Sequence, residues 1–83
     1  MLKKCLHGPN QLKAQPAAKF VKAANQFLSE VTLEKGGHRV NGKSMMSIME
    51  LANHTEEELI LSVDGEDAAL AMDVLSSLLG EER

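Results

Sequence analysis

The chain has 83 residues, 43% of them hydrophobic and 25% charged, with a formal net charge of -3; this allows one compact globular domain over residues 1–83. Phe20 and Phe27 are its only aromatics, which excludes a Trp or Tyr platform for stacking on bases, and the charge gives no polyanion signal, so no nucleic-acid partner is expected. The single cysteine, Cys5, excludes an internal disulfide and a CxxC site, while the lack of a long apolar run leaves neither a signal peptide nor a membrane span to draw, so a cytoplasmic protein is expected.

Leu2 to His7 is a short mixed run closed by Gly8-Pro9-Asn10, which predicts a strand ending in a loop that continues to Gln15. Lys4 falls in register with inward Leu2 and Leu6; a lysine on an edge strand discourages sheet-to-sheet pairing. Pro16 suits the first turn of a helix, and Ala17, Phe20, Val21, Ala24 and Phe27 recur at helical spacing, with Lys19, Lys22 and Gln26 on the other face.

From Ser29 to Lys35 the pattern alternates, with Val31 and Leu33 on one side and Glu30, Thr32 and Glu34 on the other, as a half-buried strand requires. Gly36-Gly37 predicts a hairpin turn, and His38 to Asn41 a short return strand with Val40 inward. Gly42-Lys43-Ser44 interrupts it. Ser44 then stands as N-cap before Met45, Met46, Ser47, Ile48, Met49, Glu50, Leu51 and Ala52, a short helix.

Asn53 to Glu57 is polar and turn-like, followed by Leu59, Leu61 and Val63 alternating with Ile60 and Ser62 in a central strand. Ile60 fits either an edge covered by a helix or plain surface exposure. Glu66 and Asp67 are expected to complement the dipole of a last helix whose inward stripe is Ala71, Val74, Leu75, Leu78 and Leu79, with Gly80 as its C-terminal cap.

The order β-α-β-β-α-β-α predicts an α+β open-faced sandwich, a four-stranded antiparallel sheet with three helices on one face. A right-handed first crossover leaves a slot for the last strand between the first and second. Charge is uneven: Lys3, Lys4, Lys13, Lys19 and Lys22 precede the first acid, Glu30. A basic docking face for an acidic partner and a merely solvated helix face explain this equally well.

Gly8-Pro9-Asn10, Pro16-Ala17-Ala18, Asn41-Gly42-Lys43-Ser44-Met45-Met46-Ser47-Ile48-Met49 and Asp64-Gly65-Glu66-Asp67 closely resemble segments of the HPr family, the histidine phosphocarriers of the sugar phosphotransferase system. The resemblance runs along essentially the whole chain. It implies a phosphoryl relay, in which a loop histidine accepts phosphate from enzyme I and passes it to IIA components of sugar transporters.

Here Lys13 aligns with that histidine and Gln15 with the family's arginine beside the phosphate, so no catalytic residue is expected. A lysine amine, with a reference pKa of about 10.4, is protonated near pH 7 and offers no lone pair, and Gln15 lacks an arginine's charge and bidentate fork. His7, at a strand end, reads as a surface residue, and His38 and His54 lie in polar turns. No His, Cys or carboxylate set has metal-ligand spacing, so neither metal nor cofactor is expected.

The resemblance further implies that the serine matching Ser44 is phosphorylated by an HPr kinase/phosphorylase in Gram-positive relatives, the product binding a transcriptional repressor. A serine here caps the helix whether or not a kinase exists. Met46 and Met49 should lie partly outside the inward stripe Ile48, Leu51 and Ala52 as an adaptable docking patch; the alternative is that one or more of Met45, Met46 and Met49 folds under as core filler. The partner-binding face implied is Lys13, Ala14, Gln15, Ala18, Lys22, Met45, Met46 and Met49.

The leading expectation is thus a non-carrier regulatory domain, similar to the catabolite-repression HPr-like paralogues, whose partners are phosphotransferase proteins or a transcriptional regulator. The runner-up is a working phosphocarrier, and a third reading is a scaffold that has lost both sites.

Overall fold

A computed structural model describes residues 1–7, 14–51 and 58–79. In chain order the elements are β1 (Leu2–His7), α1 (Ala14–Ala24), β2 (Glu30–Lys35), β3 (His38–Asn41), α2 (Met45–Leu51), β4 (Glu58–Asp64) and α3 (Ala68–Leu78). All pairings are antiparallel and the strand order is β1-β4-β2-β3, so the last strand fills the slot expected for it.

Register aligns the apolar residues in rows. Leu6 lies opposite Leu59, Leu61 lies between Lys4 and Leu33, and Val63 between Leu2 and Val31. Because side chains alternate along each strand, these rows fall on one face. There they meet Ala17, Phe20 and Ala24 of α1, Ile48 and Leu51 of α2, and Ala68, Ala71 and Leu75 of α3 in a single cluster. Phe20 is fully buried at its centre; truncating such a ring costs about 3–5 kcal/mol. The opposite face carries exposed Lys3, Cys5, Arg39 and Asn41 and half-buried Thr32, Glu34 and Ile60, and its one buried member among the described residues of the central strand, Ser62, is screened by Lys3 and Thr32 on the flanking strands.

Gly36 and Gly37 have φ of 57° and 84°, the two positive values that a type I′ hairpin needs at its central residues. Lys35 and His38 close that turn as cross-strand partners.

Several expectations are corrected. Helix α1 begins at Ala14, two residues before Pro16, which still falls in the first turn where its missing N–H costs nothing. Leu2 is exposed rather than inward, as it sits at the open end of an edge strand, whereas Leu6 is fully buried. Val74 is exposed, because the inward stripe of α3 runs through Ala68, Ala71 and Leu75 and leaves Val74 on its flank. Residues 8–13, Ala52, Asn53 to Glu57 and Gly80 lie outside the described residues.

Asp67 also departs from its expected role. It precedes α3 but makes no side-chain cap bond to that helix. Instead its carboxylate crosses to the turn after α1, accepting the Leu28 amide at 2.9 Å, the Ser29 amide at 3.0 Å and the Ser29 hydroxyl. Ser29 is buried, so this carboxylate satisfies backbone and hydroxyl donors that the β2 entry would otherwise leave unpaired.

The Ser29 hydroxyl first, then the Leu28 amide, hold the Asp67 carboxyl below the ordinary aspartate range. A depressed folded pKa gives stability that is fully present above the unfolded value of about 3.9 and is lost as pH falls through the folded value. Urea unfolding from pH 6 down through pH 3 should therefore show a loss of stability below about pH 4 that is smaller in Asp67→Asn. Equal slopes in the two proteins would remove Asp67 as the cause.

Candidate functional site

The segment between β3 and α2 is built by local hydrogen bonds. Asn41 accepts the Lys43 amide on its side-chain Oδ1 at 2.9 Å, and the Ser44 amide on its carbonyl at 3.1 Å. Such Asx turns let Asn reverse the chain where a strand stops. Gly42 is buried and donates its N–H to the Val31 carbonyl at 2.8 Å. A Cβ at Gly42 would come within 2.5 Å of Val31 Cγ1 and 3.3 Å of Phe20 Cε1, so only glycine lets the turn lie this close to the core.

Ser44 is half-buried and caps α2: its Oγ accepts the Ser47 amide at 3.3 Å and its carbonyl accepts the Ile48 amide at 3.1 Å. Lys43 is tied to the other helix. Its Nζ donates to the Phe27 carbonyl at 2.8 Å, while Asn25 Nδ2 donates to the Lys43 carbonyl at 3.3 Å and to the Val21 carbonyl at 2.9 Å. The end of α1 tightens into i→i−3 bonds, Gln26 to Ala23 and Phe27 to Ala24, which turns the Phe27 carbonyl out for the ammonium group. These reciprocal bonds join the end of α1 to the start of α2.

The two helices also pack side by side. On α1, Ala18 and Lys22 are exposed one turn apart; on α2, Met46 is 80% exposed and Met49 lies at 36%. Met45 is half-buried and packs against the apolar cluster. Ala14 and Gln15 are the first two residues of α1 and His7 is the last of β1. Lys13 lies outside the described residues. His38 is exposed on the hairpin at the start of β3. Among the described residues no three His, Cys, Asp or Glu side chains converge as metal ligands, and no helix is long and apolar enough to cross a membrane.

Sequence reasoning singled out Ser44 but not the roles of Asn25, Asn41 and Lys43. Asn41-Gly42 carried a turn signal that could have found the Asx bond; the reach of Lys43 to Phe27 depends on tertiary packing and had none.

A family model described as "PTS HPr component phosphorylation site" matches residues 6–81. The chain belongs to the HPr family. It is similar to the HPr-like protein Crh of Bacillus subtilis, at 48% identity over 71 residues, covering 86% of this chain and 84% of that protein. Its fold is similar to the crystal structure of a phosphocarrier protein HPr from Bacillus anthracis, at 38% identity and TM-score 0.82 over 93% and 94% of the two chains. The crystal structure of Bacillus subtilis Crh matches at 46% identity and TM-score 0.74 over 86% and 82%. The four-stranded sheet with helices on one face is thus the HPr open-faced sandwich.

Ser44→Ala removes the hydroxyl that accepts the Ser47 amide and should lower unfolding stability by about 1 kcal/mol, as loss of an N-cap does. Gly42→Ala should cost about 1–3 kcal/mol through overpacking against Val31 and Phe20. Chemical denaturation measures both; a Gly42→Ala protein as stable as the parent would mean that the turn has room to spare.

Proposed function

We propose that this HPr-family chain is a regulatory, non-carrier member, a cytoplasmic one-domain protein that binds other proteins through the α1–α2 face. One observation carries the reading: Lys13 stands at the position that matches the family's phosphorylated histidine. Gln15 stands where the family has its arginine, so the nucleophile and the phosphate clamp are replaced together. A protonated lysine has no lone pair with which to attack a phosphoryl group, and near pH 7 its neutral fraction is below roughly one in a thousand. Similarity to Crh, a name attached to catabolite repression in Bacillus subtilis, agrees with this reading.

Partner binding is assigned to Lys13, Ala14, Gln15, Ala18, Lys22, Met45, Met46 and Met49. Unbranched Met side chains adapt to differently shaped partners, and the lysines favour an acidic one. Partners are phosphotransferase proteins or a transcriptional regulator, and Ser44 is the site at which an HPr kinase/phosphorylase switches binding. Phosphate on Ser44 would sit beside the N–H groups of the first turn of α2 and beside Lys43, both favourable to negative charge.

The alternative is a working phosphocarrier, and similarity to proteins named phosphocarrier protein HPr, such as that of Neisseria meningitidis at 42% identity over 81 residues, keeps it in view. Incubation with enzyme I and phosphoenolpyruvate separates the two. The regulatory reading expects no acid-labile phosphate on the intact protein, and expects Lys13→His with Gln15→Arg to gain one. Phosphate on the parent chain would establish the carrier. With HPr kinase and ATP, one acid-stable phosphate is expected, absent from Ser44→Ala.

A further inference from the structure

Of the asparagines Asn10, Asn25, Asn41 and Asn53, only Asn41 is followed by glycine. An asparagine side-chain amide can be attacked by the backbone nitrogen of the next residue, and a glycine there brings no Cβ to obstruct the approach. The turn before α2 treats the two partners of that reaction in opposite ways. Asn41 is exposed, and its Oδ1 accepts the Lys43 amide at 2.9 Å. A donor on that oxygen polarises the amide carbon and stabilises the negative charge that attack would place on the oxygen. Gly42 is buried, and its N–H donates to the Val31 carbonyl at 2.8 Å. Val31 and Phe20 close over its Cα, since a Cβ there would meet Val31 Cγ1 at 2.5 Å and Phe20 Cε1 at 3.3 Å. The electrophile is thus exposed and polarised, while the nucleophile keeps its proton where base does not reach it.

We propose that Asn41 is a latent modification site, converted to aspartate and isoaspartate by attack of its own neighbour, with the Gly42–Val31 hydrogen bond as the lock. When the turn opens, hydroxide takes the Gly42 N–H proton and the nitrogen forms a bond to Asn41 Cγ. The Cγ–Nδ2 bond then breaks, and the amide nitrogen takes a proton from water and leaves as ammonia. Water adds to the resulting cyclic imide: cleavage at Cγ gives aspartate, and cleavage at the main-chain carbonyl carbon gives isoaspartate. Nothing is oxidised or reduced. The aspartate keeps an acceptor for the Lys43 amide. The isoaspartate carries an extra methylene in the backbone, which breaks the register joining Gly42 to Val31 and displaces the carbonyl that accepts the Ser44 amide at 3.1 Å. Opening of the turn is therefore recorded as a permanent change at the entry to α2. The proposal uses neither Lys13 nor a phosphate on Ser44 and stands apart from the regulatory reading.

The test incubates the full chain in mildly alkaline buffer at physiological temperature, and again in urea at a concentration that unfolds it. Digestion and mass measurement follow the amide-to-acid exchange in the peptide that carries Asn41. The folded chain should convert at least about tenfold more slowly than the unfolded one, because attack waits on a local opening. Lys43→Met leaves Asn41 and Gly42 in place but removes the ammonium bond to the Phe27 carbonyl that holds the turn, at 2.8 Å. It should narrow the ratio of the urea rate to the buffer rate about fivefold. Equal rates in buffer and in urea, no conversion in either, or an unchanged ratio in Lys43→Met would each overturn the proposal.

Discussion

The whole arrangement depends on β4 lying between β1 and β2. It joins the first strand to the rest of the sheet: Leu61 lies between Lys4 on β1 and Leu33 on β2. Its three inward residues, Leu59, Leu61 and Val63, are fully buried. A strand late in the sequence that completes the middle of the sheet forces β1 and β2 apart, and α1 must span the gap. That spacing leaves room for α1 and α3 to pack together over the same face. Such non-local pairing makes every distant contact conditional on β4.

The Asp67 carboxylate shows how one short polar link holds this layered arrangement in register. Leu28 and Ser29 begin the return from α1 into β2, and Asp67 begins α3, yet three hydrogen bonds fasten them. Next to it, at the same end of α1, Lys43 and Asn25 fasten the close of that helix to the approach to α2. Helix α1 is therefore clamped at its C-terminal end from both neighbours. Its N-terminal half, which carries Gln15 and Ala18, is the half the family resemblance assigns to recognition.

Most of the fold was legible in the sequence because it rests on period. Val31, Leu33, Leu59, Leu61 and Val63 alternate, and Ala17, Phe20 and Ala24 recur at helical spacing; burial follows these patterns residue by residue. What period does not encode was missed. Leu2 matches Leu6 in phase, but a strand's end has no helix above it. Val74 fits a generous helical stripe, but the narrower stripe of small and large residues through Ala68, Ala71 and Leu75 is what α3 actually buries. Asp67 was read as a local helix-dipole residue because sequence shows neighbours along the chain, and its bond partners lie 38 and 39 residues away. At the site, Ser44 as a cap was a local pattern and was legible, while the Lys43 bond to Phe27 spans 16 residues and was not.

The division between what folds the chain and what gives it chemistry explains how a family member can change function without changing shape. Among the described residues the buried core cluster holds only apolar side chains, and Ser44 is not part of it. A substitution outside that cluster can alter chemistry while leaving the apolar rows in place. Ser44 differs in kind, since its hydroxyl already serves as an acceptor for the Ser47 amide. Any selection that abolished phosphoryl transfer through the loop would leave that hydroxyl in place for structural reasons alone. A surface that persists for stability is available to be reused for recognition, and this is the physical route by which a carrier fold becomes a binding module.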